Sequence, residues 1–142
     1  MPLVMQGRTT TSLVTGSIIE FIPPANKPLL IKKITFCMTN AAATGTLGFG
    51  IPAAKGVTPT SPQLMRLVNG GGDAASSSAM AWGTPPTAPT LYVGVVQLGI
   101  AIGAVQSIDF PGNGFLVPVN STFVIFAFST VHPYCVTIVA QE

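Results

Sequence analysis

The chain has 142 residues, of which 48% are hydrophobic and only 7% are charged, and its formal net charge is +2. This length fits one domain with its own hydrophobic core, and the scattered basic residues form no patch of the kind that binds nucleic acid. Because a charged share of about 25% is usual and a weakly charged surface gives little mutual repulsion, the composition predicts that apolar surface is buried against other chains in a permanent assembly.

The N-terminal segment is apolar but precedes the first strand that the pattern predicts, at residues 17–22. An extended apolar segment can add to the sheet or groove of a neighbouring chain. We therefore predict an N-terminal arm over residues 1–16 and a single domain over residues 17–142. Its candidate interface residues are Pro2, Leu3, Val4 and Met5.

Short apolar runs separated by proline, glycine, asparagine and serine clusters predict strands rather than helices. The predicted strands are residues 17–22, 29–38, 46–51, 91–98, 100–110, 114–117, 122–128 and 133–140. Residues 63–68 fit either a strand or one helical turn. The count of about eight strands is what two packed sheets or a jelly roll require. The sequence thus predicts an all-β fold, an antiparallel β-sandwich.

Alternation within residues 29–38 assigns side chains to the two faces of the predicted strand. The first face takes Leu30, Ile34, Phe36 and Met38, and the other takes Ile31, Lys33, Thr35 and Cys37.

The middle of the chain, residues 52–90, is predicted to form long loops. It contains a glycine-rich run with Asn69, Gly70 and Gly71, whose composition is typical of a flexible linker. Long loops inside a compact domain are usually functional or disordered. We therefore predict a protein-contact surface here, with Asn69, Gly70, Gly71 and Trp82 as contact residues and Tyr92 beside them.

Residues 91–108 are apolar enough to raise the question of a membrane span. Gly94, Gly99 and Gly103 interrupt this stretch, and it is rich in β-branched valine. Both features favour buried strands, so no membrane association is predicted.

Titratable groups are too few to suggest catalysis. The chain has four carboxylates and one histidine, His132, and no serine lies in a nucleophile-elbow sequence. Cys37 and Cys135 cannot complete a zinc site with a single histidine. Both cysteines lie in predicted strands, where a thiol behaves as a small hydrophobe, and a single disulfide is the alternative. The expectation is a protein without catalytic residues, metal or cofactor.

The order of segments carries a family resemblance. An early strand leads through a turn into residues 29–40 and then residues 45–52, and residues 108–118 lead into a Val/Ile/Phe strand and a final strand ending Val139-Ala140-Gln141-Glu142. This arrangement resembles small β-sandwich virion proteins of tailed phages, of the capsid decoration or cement, head-fibre or tail-appendage type. The middle residues 55–90 match no part of that family.

The resemblance implies a jelly-roll-like sandwich that forms a homo-oligomer, expected to be a trimer. It also implies a decoration or cement protein that binds the major capsid protein and stabilises the shell, located in the virion after assembly in the host cytoplasm. The alternative is a carbohydrate- or receptor-binding module of a phage appendage, in which Trp82, Tyr92 and Tyr134 contact a glycan. Such aromatic residues also serve as core or interface anchors.

Overall fold

The computed structural model describes residues 2–8, 16–38, 45–60, 63–67, 73–79, 81–97, 105–128 and 134–141. In these residues the chain forms thirteen strands. They are β1 (Pro2–Arg8), β2 (Gly16–Ile22), β3 (Leu29–Met38), β4 (Thr46–Pro52), β5 (Val57–Thr60), β6 (Gln63–Leu67), β7 (Asp73–Ala79), β8 (Ala81–Thr84), β9 (Pro89–Gln97), β10 (Val105–Asp109), β11 (Phe115–Val117), β12 (Phe123–Ala127) and β13 (Tyr134–Gln141).

Eleven of the strands form one continuous antiparallel sheet. Its order is β10-β3-β13-β1-β6-β7-β2-β12-β4-β9, and β11 lies beside β10 on the same edge of β3. The remaining two, β5 and β8, form a separate antiparallel ribbon. The predicted all-β antiparallel sandwich is confirmed. Seven of the eight predicted strands differ from those observed by at most two residues at either end, whereas the strand predicted at residues 100–110 corresponds to β10 and its residues 100–104 lie outside the described residues.

The sheet folds over a single hydrophobic core. One layer contains β10, β11, β3, β13 and β1, the other contains β2, β12, β4 and β9, and β6 and β7 join them on one side. Phenylalanine rings make contacts between the layers: the ring centroids of Phe49 and Phe110 are 6.1 Å apart, and those of Phe115 and Phe123 are 5.6 Å apart. Each fully buried side chain of this size contributes about 1.5–3 kcal/mol, so this core holds the two layers together.

Strand β3 changes face part-way along its length. The register of β13 on β3 shifts between Val139 and Ala140, which pair with Lys33 and Ile31, so Lys32 is the extra residue of a β-bulge. As a result Ile31 is buried beside Ile34, although simple alternation assigned these two residues to opposite faces. The bulge separates the part of β3 that pairs with β10 from the part that pairs with β11.

The turn between β10 and β11 fits against this bulge. Phe110 donates its N–H to the Lys32 carbonyl at 3.0 Å, and the Lys32 ammonium donates to the Asn113 carbonyl. Gly112 and Gly114 adopt φ angles of 66° and 98°, which favour glycine. This turn lies between the strands predicted at residues 100–110 and 114–117.

Two segments that were not expected to be strands of the sandwich belong to its sheet. Strand β1, which contains Pro2 to Met5, pairs with β13 and β6 of its own chain rather than forming an arm for a neighbour. Residues 73–79, whose small residues suggested a linker, form β7 between β2 and β6. Ser76, Ser78 and Ala79 of β7 are buried, so this segment is packed into the folded domain.

Gly94 on β9 provides a test of the core packing. A Cβ atom at this position would meet the ring of Phe49, which is fully buried. Because Phe49 has no room to move, we expect Gly94→Ala to lower the free energy of unfolding by about 1–3 kcal/mol, measured by urea denaturation.

Gly83→Ala is the matched control. A Cβ at Gly83, which is exposed on β8, would lie 3.4 Å from the Thr58 Cβ in ordinary contact. We expect this change to stay within about 0.5 kcal/mol. Equal losses in the two variants would contradict the packing described here.

Candidate functional site

An apolar groove lies where the two ends of the sheet come together. It has a volume of about 410 Å³ and is lined by Ile51, Pro52, Thr90, Leu91, Val93, Phe115 and Leu116. These residues come from β4 and β9 of one layer and from β11 of the other. Because β6 and β7 join the layers on the other side, the groove marks the side where no strand pairing among the described residues closes the sandwich.

Three exposed large apolar residues, Leu91, Val93 and Leu116, line this groove. Leu91 is 75% exposed, Val95 57% and Leu116 54%, and Val93 lies between the first two on β9. Val105 of β10 and Phe128, which packs on Tyr92, are also exposed. We name the surface formed by β9 with Leu91, Val93 and Val95, together with Phe115 and Leu116 of β11, the open edge.

Strand β9 is an edge strand without charged side chains, and its pairing with β4 is irregular between Pro89 and Gly94. Among the described residues it pairs only with β4, which leaves its other backbone edge available. Natural edge strands are commonly blunted by lysine or other charged side chains. None of the nine residues of β9 is charged, so this edge combines available backbone hydrogen-bonding groups with exposed valine and leucine.

A second feature is a buried carboxylate. Glu20 of β2 is only 1% exposed and accepts hydrogen bonds from three donors. The Gly56 N–H lies 3.1 Å from Oε1, the Thr122 hydroxyl 2.6 Å from Oε1 and the Trp82 indole Nε1 2.8 Å from Oε2. Hydrogen bonds to a charged group of this kind are stronger than neutral ones, and they offset the cost of burying the carboxylate.

Glu20 attaches the β5–β8 ribbon to the sandwich. Gly56 directly precedes β5, and Trp82 lies in β8. A Cβ at Gly56 would collide with the Trp82 ring and approach the Glu20 carboxylate, so the close approach of the backbone requires glycine here. The base of the ribbon is closed by Thr87, whose hydroxyl accepts from the Ala54 N–H at 2.9 Å. The middle of the chain therefore contains anchored strands where loops were expected.

Of the residues predicted for an interface, Trp82 and Tyr92 make separate contacts. Trp82 uses its indole N–H on Glu20, whereas Tyr92 packs edge-on against Phe128 at 4.8 Å. Tyr92 also covers Gly48, where a Cβ would strike its ring, and desolvation by burial raises the pKa of its phenol above the ordinary value. The predicted contacts Asn69, Gly70 and Gly71 lie outside the described residues.

The N-terminal candidates Pro2, Leu3, Val4 and Met5 have register positions in β1, opposite residues 138–141 of β13. The open edge and Glu20 were not predicted from the sequence. The signal for the first was an uncharged valine-rich strand interrupted by Gly94, and for the second a single carboxylate inside the apolar strand Ile18-Ile19-Glu20-Phe21.

Other kinds of site are not evident in the part of the chain that the structure describes. Within it, no group of three or more His, Cys, Asp or Glu side chains is placed to hold a metal ion. The same residues include no helix of the length and hydrophobicity needed to cross a membrane. His132 lies outside them.

Comparison of the chain with protein-family models, with curated proteins and with solved structures found no match.

Thr122→Val tests the role of the Glu20 cluster. The substitution keeps the shape of the side chain but removes the hydroxyl that donates to a buried carboxylate. We expect the free energy of unfolding to fall by about 1–3 kcal/mol. Trp82 is the single tryptophan, so a change in its fluorescence emission should report the loosened anchor.

Thr35→Val is the control, because the Thr35 hydroxyl also bonds to a side chain, Ser107 Oγ at 3.0 Å, but at an exposed position. Its effect should remain within about 0.5 kcal/mol. If the two variants lose the same stability, the Glu20 cluster does not have the role assigned to it.

Proposed function

We propose that the chain is a structural virion protein of a tailed phage, a capsid decoration or cement protein that acts through protein–protein contacts. The open edge is the observation that carries this proposal. An uncharged edge strand beside an apolar groove is a surface that a partner strand can extend by backbone hydrogen bonds, while its side chains fill the groove. The low charge of the whole chain agrees with burial of such surface in an assembly.

The occupant that we propose for the open edge is a second copy of this chain. The two ends of the sheet are different strands, β9 and β10, and both carry exposed valine, Val95 and Val105. Pairing of β9 from one copy with β10 of the next is a head-to-tail contact, which closes into a ring when the rotation allows. The family resemblance leads us to propose a ring of three copies.

The proposal includes a jelly-roll topology for the sandwich. When the inserted strands β5 to β8 are set aside, and β10 and β11 are counted as one position on β3, eight strand positions remain. The first, eighth, third and sixth positions pair in one layer, and the second, seventh, fourth and fifth pair in the other. This order supports a jelly roll with an insertion between its fourth and fifth strands.

The major capsid protein is the proposed second partner. The β5–β8 ribbon has exposed residues along both strands, including Val57, and Glu20 fixes its position. A fixed ribbon outside the sandwich can contact a capsid surface while the open edge is occupied by another copy. A protein that binds only the assembled shell stabilises that shell by mass action.

The oligomeric state tests the open edge. We expect wild-type protein to give a discrete multiple of the 14.6 kDa chain mass by light scattering without detergent. Val95→Lys places a charge on β9, so the concentration at which the oligomer dissociates should rise by about 10- to 100-fold.

Val57→Lys is a closely matched control, since Val57 is 58% exposed and Val95 57% exposed. Because Val57 lies on the ribbon, this variant should keep the wild-type oligomer. A monomeric wild type, or equal dissociation of the two variants, would reject self-association through the open edge. Glycan binding by a monomer would favour the carbohydrate- or receptor-binding module instead.

A further inference from the structure

The two cysteines of the chain occupy directly opposite register positions in the sheet. Cys37 of β3 pairs with Cys135 of β13, although 97 residues separate them along the chain. Opposite Cα atoms in an antiparallel pair lie about 4.5 or 5.5 Å apart, depending on the type of pair. Both distances fall within the range of about 4.4–6.8 Å that a disulfide spans.

The position of Cys37 also allows oxidation. Cys37 lies on the opposite face of β3 from the buried Phe36 and on the same face as Thr35. The Thr35 hydroxyl bonds to the Ser107 hydroxyl at an exposed site. Cys37 itself is half-buried. An oxidant in solution therefore has access to this face of the sheet.

We infer that Cys37 and Cys135 form a cross-strand disulfide in oxidising surroundings. With glutathione disulfide as the oxidant, two S–H bonds and the glutathione S–S bond break, and the protein S–S bond forms. Two electrons pass from the cysteines to glutathione, which leaves as two thiols carrying the two protons. Because cytosolic thiols are kept reduced, the bond requires surroundings more oxidising than the cytosol.

Pairing of β3 with β13 makes the Cys37–Cys135 bond more favourable in the folded protein than in the unfolded chain. In the unfolded chain, closing a loop of this length is entropically costly. In the folded chain, β13 already lies against β3 through a ladder of eight register pairs. The disulfide would therefore covalently tie the two central strands of one layer, and the inference is independent of what the chain assembles with.

The test uses wild-type protein equilibrated in glutathione redox buffers, folded and in urea, followed by thiol titration and intact mass. Folded protein should lose both thiols and about 2 Da per chain, as expected for loss of two hydrogens. Its equilibrium constant for disulfide formation should exceed that of the unfolded chain by about 10²- to 10³-fold. The oxidised protein should also unfold at a higher temperature than the reduced one.

Cys37→Ser and Cys135→Ser are the matched controls. Each retains one thiol, which should end as a mixed disulfide with glutathione, and neither should show an oxidation-dependent rise in unfolding temperature. The inference is overturned if folded wild-type protein carries glutathione on each cysteine, if it links into disulfide-bonded dimers, or if its thiols oxidise only in urea.

Discussion

Packing of phenylalanine rings between the two layers is the interaction on which the fold depends. Phe21, Phe49 and Phe123 form tilted ring contacts within one layer, and Phe110 and Phe115 extend the cluster from the other. Aromatic pairs of this geometry add about 0.5–1.5 kcal/mol each beyond the burial of their surface. Gly94 lies under the Phe49 ring because any larger residue would collide with it. The core thus determines both the distance between the layers and the residues that β9, the strand at one end of the sheet, can carry.

Hydrogen bonds to the Glu20 carboxylate hold the β5–β8 ribbon in position, as the aromatic core holds the two layers of the sandwich together. The β5–β8 ribbon has little apolar surface of its own to bury, since its residues are almost all exposed. Its position comes from directional hydrogen bonds that converge on one buried charge. A buried carboxylate that loses a donor is costly, so the cluster favours one arrangement of the ribbon over others.

The open edge follows from the topology together with the composition. A sheet that folds on itself must place its two terminal strands somewhere, and here they lie on the side opposite the β6–β7 connection. Most proteins protect such strands with charge, but this chain has few charged residues and none on β9. The low charge of the chain and the uncharged edge of β9 are therefore related. Burial of this edge in the proposed assembly is a physical reason for both.

The sequence by itself determined the fold class and the position of most sandwich strands, because alternation and Pro/Gly turn signals act between near neighbours. Tertiary structure decided the rest. Strand β1 is a strand only because β13 and β6 flank it, and the small residues of β7 become ordered by pairing with β2. Ile31 reaches the core through a bulge that only the register with β13 reveals. Glu20 and Thr122 are 102 residues apart, and such long-range contacts leave no local signal in the chain.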